Sequence, residues 1–337
     1  MTADDVLIET IDRLLRATCT FEAVEQAEVD GWCAPVWDAL AGAGFPWVSV
    51  PEAAGGSGGS LTDAMAVLRE VGRHAAPVPV AETMLAGWLL AAAGVAMPEG
   101  PLSVLWEPID LDRRATAPWG RRAERIVGVL HDKDDWRVVV AERGQFDVVV
   151  GNNLAGEPRD EIRITAPRDA LTVVAAPDGV DRMALQQRGA LTRVVMAAGA
   201  LEAMTQLTVD YAHDRRQFGK PIASFQAVQA HLVQAAQATA CMSMAADVAV
   251  RALETGDARV EIAAARALLD DAVTGATRAA HQAHGAMGVT REYPLHHFTR
   301  RLWSWRDEYG SGRWWREWLG LELAAGGPHE LFSTITR

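Results

Sequence analysis

The feature that most constrains this chain is a double change in its hydrophobic period. Near the N-terminus Leu7, Ile11, Leu14 and Leu15 recur at helical spacing. From about Leu102 to Arg188 the apolar residues come instead in short β-branched runs, at 126–130, 136–140, 146–150, 162–164 and 171–174, punctuated by Gly, Pro, Asn and Asp. Beyond Arg188 a long helical period returns, over about 192–213, 225–254 and 259–284, rich in Ala, Leu, Met and Gln. A parallel α/β sheet would alternate strands with helices, whereas here the strands form one block. The order is therefore helices, a small β unit, then a helix bundle. Within the first part, Thr2 and Asp5 are placed to cap the first helix. Ser60 and Asp63 form a capping pair that opens a helix to about Arg73. Pro77 and Pro79 break that helix, and another runs over about 81–93.

Composition removes several function classes. With 337 residues, 49% of them apolar, the chain buries a sizeable core and is not disordered. Lys+Arg 32 against Asp+Glu 44 gives a net charge of −12. That balance opposes general nucleic-acid binding, which needs a basic surface. Cys19, Cys33 and Cys241 are far apart, so neither a disulfide framework nor a thiolate zinc site is expected, and a reducing cytoplasm fits. The acidic start, Met1-Thr2-Ala3-Asp4-Asp5, is unlike a signal peptide. The longest apolar stretch, 84–97, is interrupted by Gly87 and Gly94 and is shorter than the ~20 apolar residues of a spanning helix. A soluble cytoplasmic protein with no membrane or nucleic-acid partner is expected.

Common catalytic signatures are missing. The Gly55–Gly59 run is not a dinucleotide fingerprint, and no phosphate-loop, GxSxG or HExxH pattern occurs. His281 and His284 share a helix face without a nearby carboxylate pattern, so no metal is expected. Two segments are more informative. In the first, Arg215 offers planar donors for a phosphate, Gln217 an amide and Phe218 an aromatic face. Gly219 and Pro221 stop one helix there, and Ser224 is placed to cap the next. On spacing alone this is equally a solvated helix corner. In the second, Gly285, Ala286 and Gly288 let backbone approach a ligand closely; read alone, it is a helix end and a turn.

Together these segments resemble the acyl-CoA dehydrogenase flavoprotein family. They read Arg-x-x-Phe-Gly-x-Pro-Ile-x-x-x-Gln from Arg215, then Gln-x-x-Gly-x-x-Gly-x-Thr-x-Glu-Tyr-Pro from Gln282, and the early Val50-Pro51-Glu52-x-x-Gly-Gly-Ser-Gly stretch matches too. The resemblance implies a helical N-terminal domain (1–100), a shortened β-barrel-like domain (101–188) and a C-terminal four-helix bundle (189–337). It implies FAD held between subunits, with Arg215, Gln217, Phe218, Gln226, Gln282, Gly285 and Ala286 contacting it. The family usually has a second glycine where Ala286 stands. The implied reaction is α,β-dehydrogenation of an acyl-CoA, with electron-transfer flavoprotein as acceptor and a homo- or hetero-oligomeric assembly.

The departures matter as much as the matches. The family's base is a Glu downstream of Glu-Tyr-Pro, and ungapped counting puts Tyr309 there, one residue after Glu308. A phenol, with a reference pKa of ~10, is a poor base for this step. The alternative family position, on the helix that opens the bundle, is Thr192. Glu308 is thus the candidate base, against the reading of a surface acid paired with Arg306 or Arg313. In the middle region Trp106-Glu107-Pro108 is a partial match, but no Gly-Ser-Asp follows. A second hypothesis is therefore a non-catalytic partner subunit, as in heteromeric family members that act on steroid side chains. Finally, Trp303, Trp305, Trp314, Trp315 and Trp318 are interleaved with Arg300, Arg301, Arg306, Arg313 and Arg316. That mixture suits a subunit interface, with a substrate-pocket lining or an amphipathic core helix as the other readings.

Overall fold

The structure, a computed structural model, describes residues 3–325. The chain divides into two compact units, one ending at Thr192 and one beginning at Arg193. The first opens with five helices: α1 (Ala3–Thr18), α2 (Phe21–Asp30), α3 (Ala34–Gly42), α4 (Leu61–Arg73) and α5 (Val80–Ala92). The expected cap at Thr2 lies outside the described residues, as does the Asp5 side chain. At Ser60 the expectation is met in full. Its hydroxyl accepts from the Asp63 amide and the Asp63 carboxylate accepts from the Ser60 amide, a reciprocal capping box. His74, at the end of α4, lies 2.9 Å from the Asp12 carboxylate and ties α4 to α1.

The glycine-rich stretch before α4 is a tied turn. Gly58 and Gly59 donate backbone hydrogen bonds to the carbonyls of Val50 and Val48. A Cβ on Gly56 would stand 2.1 Å from the Val50 carbonyl oxygen, so only glycine permits that approach.

Seven strands follow: β1 (Leu102–Val104), β2 (Ala115–Pro118), β3 (Arg125–Asp132), β4 (Asp135–Glu142), β5 (Phe146–Val149), β6 (Arg159–Ile164) and β7 (Thr172–Ala175). They form a four-stranded sheet in the order β1-β3-β4-β7 and a three-stranded sheet in the order β2-β6-β5. Leu105, Ile126, Val139, Phe146, Ile162 and Leu171 share one apolar core between them. All five strand runs read from the sequence are present. Two further strands, β1 and β2, are short and owe their extended form to their partners, β3 and β6.

A long helix, α6 (Arg182–Asp214), carries the chain into the second unit. There a two-strand hairpin, β8 (Arg216–Gln217) with β9 (Lys220–Pro221), precedes α7 (Gln226–Thr255), α8 (Arg259–His284), α9 (Leu295–Trp305) and α10 (Gly312–Ala325). α7 and α8 meet at Gly256 and pack on one another, and α10 packs on α8. The protein is mostly α with a small β region. No described helix is long and apolar enough to cross a membrane.

The tryptophan cluster divides between core and surface. Trp305 and Trp315 are fully buried, and Trp303 donates from Nε1 to Thr277 Oγ1 while the Arg306 guanidinium lies 4.0 Å from its ring. Trp314 and Trp318 are half-buried on α10.

Candidate functional site

The hairpin after α6 shapes one wall of a groove. Its two-residue tip, Phe218-Gly219, has φ of 53° and 82°, the left-handed pair that a tight β-hairpin requires. Glycine takes that conformation without cost, whereas Phe218 takes it with strain and is left 92% exposed. Ser224 does not cap α7 as expected. Its hydroxyl donates back to the Pro221 carbonyl at 2.7 Å, and Phe225 stands at the cap position without a side-chain bond. The short turn that holds Ser224 points its hydroxyl toward Pro221.

The end of α8 builds the other wall. His284 is buried, its Nδ1–H donating to the Ala280 carbonyl at 2.8 Å. Its ring stacks on Tyr211 at 4.4 Å and lies 4.9 Å from that of Tyr293. The Tyr211 hydroxyl donates to the His284 carbonyl at 3.3 Å. Burial pushes the His284 pKa down, so the imidazole is neutral at neutral pH. This aromatic stack fixes the backbone that leads into Gly285, where φ is 58° and a Cβ would meet nothing within 4 Å.

The groove between these walls has a volume of about 410 Å³. It brings together Arg215, Gln217, Phe218, Gln282, Gly285 and Ala286, joining two segments far apart in the chain. Gln226, at the first turn of α7, is not in its lining. Tyr211, Ile222, Phe225, Val228, Ala283, His284 and Met287 complete the walls and were not singled out as groove residues from sequence. A signal for the tyrosines existed. The chain has three, Tyr211, Tyr293 and Tyr309, and each stands in or beside a motif segment. Among the described residues the Arg215 guanidinium makes no hydrogen bond or ion pair, so its donors face open groove.

Glu308 is placed quite differently. The expectation of a surface acid paired with Arg306 or Arg313 is overturned. Glu308 is 5% exposed, and its carboxylate accepts from Arg193 Nε at 2.5 Å. Arg306 lies 3.6 Å from Asp307 instead, and Arg313 2.8 Å from Glu317. The reason is desolvation: Arg193 is fully buried on α6 and needs a counter-charge at hand. The adjoining backbone is clamped as well. Arg266 Nη2 donates to the carbonyls of Arg306, Glu308 and Gly310, and burial pushes the Arg266 pKa down to about 10. Tyr309 is buried with φ of 55°, its ring 5.5 Å from the Arg193 guanidinium. The Thr192 hydroxyl is occupied by the Gly189 carbonyl at 2.7 Å.

Comparison with known proteins follows the same geography. Residues 4–96 match the N-terminal domain of acyl-CoA dehydrogenases and residues 182–330 the C-terminal domain. The acyl-CoA dehydrogenase FadE28 of Mycobacterium tuberculosis is 32% identical over 295 residues, covering 78% of this chain and 84% of the relative. Two solved structures share the fold. The ChsE4-ChsE5 complex from Mycobacterium tuberculosis has a TM-score of 0.85 at 22% identity, covering 96% of this chain and 98% of that one. PigA, solved with FAD and proline, has a TM-score of 0.84 at 17% identity, covering 97% and 99%.

Proposed function

The chain belongs to the acyl-CoA dehydrogenase family, and from that premise we propose that it serves the α,β-dehydrogenation of an acyl-CoA thioester with FAD as hydride acceptor. The observation that carries this reading is the groove. It gathers both motif segments around the Arg215 guanidinium, which has no bonded partner among the described residues.

The residues present fit one end of a flavin dinucleotide. Arg215 supplies planar donors for a pyrophosphate, Gln217 and Gln282 supply amides for polar edges, and Phe218 supplies an exposed ring face. Gly285 leaves space for close backbone approach, and the Ala286 methyl is the smallest side chain that could replace a second glycine there. FAD, when bound, supplies the acceptor for the substrate hydride. The chain's own part is to bind and orient the cofactor's phosphate end. Electrons then pass to an electron-transfer flavoprotein.

Glu308 is the carboxylate nearest the family's base position. To act as base it must leave Arg193, whose guanidinium donates to the carboxylate oxygen that would take the proton. That pair favours a second reading, in which this chain is the non-catalytic partner of a heteromer and completes the FAD site of a full-length subunit. The ChsE4-ChsE5 complex, with which the chain shares its fold, supports that reading.

Purification alone and with a co-expressed full-length family member separates the two, read by flavin absorption and acyl-CoA-dependent acceptor reduction. A yellow, active isolated chain whose turnover is lost in Glu308→Gln, with flavin binding intact, supports autonomous catalysis. Full turnover in Glu308→Gln removes Glu308 from the mechanism. A colourless, inactive chain that gains both properties only with its partner supports the heteromer.

A further inference from the structure

The first unit holds a cluster of ionisable side chains, whereas the groove belongs to the second. Asp12 of α1 and Glu70 of α4 both reach toward His74, at the end of α4. Each acid divides its two oxygens between an arginine and this histidine. Asp12 gives Oδ2 to Arg16 at 2.8 Å, and Glu70 gives Oε1 to Arg73 at 3.0 Å. The other oxygens turn inward. Asp12 Oδ1 lies 2.9 Å and Glu70 Oε2 3.9 Å from His74 Nε2. The three inner atoms all lie within 4.8 Å of one another.

The two inner contacts differ in kind. At 2.9 Å, Asp12 and His74 share a proton in a hydrogen bond. At 3.9 Å, Glu70 Oε2 is beyond hydrogen-bond distance, and among the described residues nothing donates to it. Yet Glu70 is 4% exposed. A carboxylate taken out of water needs its lone pairs met, and here one inward oxygen has no donor. This buried, unmet oxygen is the observation that sets the cluster apart from an ordinary ion-pair network.

Spacing and composition both suit a metal ion. Zinc takes imidazole nitrogen and carboxylate oxygen at ~2.0–2.2 Å, which puts the ligand atoms of a tetrahedral site ~3.3–3.6 Å apart. The separations of 2.9 and 3.9 Å straddle that range. Glu70 and His74 stand four residues apart, and the His74 amide still bonds to the Glu70 carbonyl at 3.0 Å, so the helical turn holds to its last residue. That spacing presents two ligands on one helix face. Asp12 supplies the third from α1, which packs on α4. Because arginines hold the outer oxygens, each acid offers a single oxygen, and the fourth position falls to water. Two carboxylates match the double charge of the ion. The one imidazole selects a transition ion over calcium or magnesium, which take all-oxygen sets.

We propose that Asp12, Glu70 and His74 bind a divalent transition-metal ion, Zn²⁺ in preference to Mn²⁺, which clamps α1 to α4. The ion takes the place of the proton between His74 Nε2 and Asp12 Oδ1, and the imidazole carries its proton on Nδ1. The test uses the full chain, freed of metal by a chelator. It needs neither flavin nor acyl-CoA, so its outcome is independent of the proposed function. Titration with Zn²⁺ against a chromophoric competitor is expected to show one tight equivalent. Co²⁺ in its place gives the visible absorption of a four-coordinate site. His74→Ala raises the dissociation constant of that equivalent at least ~100-fold. Asp12→Asn keeps a hydrogen bond to His74 but removes the anion. It raises the constant at least ~10-fold, with an unchanged far-ultraviolet spectrum. The thermal midpoint of the parent climbs with free Zn²⁺, and that of Asp12→Asn climbs less. A chain that takes up no tight equivalent overturns the proposal. So does an equivalent that either variant leaves at parental affinity, which would make the three residues an ion-paired network alone.

Discussion

Arg193 and Arg215 flank most of α6 and have opposite fates. Arg193 is buried and bonded to Glu308. Arg215, just past the helix end, is exposed and without a bonded partner among the described residues. A guanidinium taken out of water must be paired, or the fold bears its desolvation cost. One left at a groove mouth is hydrated at no cost and stays available to a ligand anion. The difference teaches that the arginine of the motif keeps its donors toward an open groove, while the acid beside the expected base position is drawn into structure.

Removing Glu308 should have the largest effect. Glu308→Leu strands the Arg193 cation in the interior and is expected to cost ~3–5 kcal/mol, read as a lower urea midpoint. A loss below about 1 kcal/mol would mean that the pair is dispensable and would dissolve the contrast with Arg215. Arg215→Ala should leave the urea midpoint unchanged. It should weaken FAD binding ~10–100-fold in a titration followed by flavin fluorescence, the worth of a charged hydrogen bond. If that variant unfolds as readily as Glu308→Leu, the comparison is broken.

His284 sharpens the contrast, being a buried group in the wall of an open groove. Its folded pKa lies below the ordinary histidine value of ~6.5, so the unfolded chain takes up a proton that the folded chain does not. Stability is therefore lost as pH falls below ~6.5, at ~1.4 kcal/mol per unit of pKa difference. His284→Phe should narrow the gap between urea midpoints measured at neutral and mildly acid pH. An unchanged gap would show that the ring is not desolvated in solution. The smallest effect belongs to a site outside both regions. Ser60→Ala removes one half of the capping box and should cost ~1 kcal/mol of thermal stability, with FAD affinity unaltered.

Legibility followed how local each determinant is. α8 spans Arg259–His284, the range its periodicity indicates, because an amphipathic helix advertises itself in consecutive residues. α6 begins at Arg182, earlier than its pattern indicates, since Gly189 does not break it. β1 and β2 are not marked in the sequence because three or four residues carry too little pattern, and pairing to β3 and β6 makes them strands. Ser224 has the right residue type for a cap, but its hydroxyl was claimed by Pro221. The groove residues were legible through motif resemblance, except that Gln226 lies outside the lining and nothing in the sequence marks His284, a histidine at a helix end, as a buried wall of the groove.

By itself the sequence determined the order of helices, strands and helices, the capping box and the two segments that face each other across the groove. All of these depend on residues close together or on family pattern. Only the tertiary structure decided that Glu308 faces Arg193 across a separation of 115 positions, that Arg266 holds three carbonyls around Tyr309, and that Asp12 meets His74 across 62 positions. Desolvation is the reason. Whether a charge must be paired, or an apolar face covered, depends on what surrounds it after the chain has folded, and neighbours in space leave no periodic trace along the sequence.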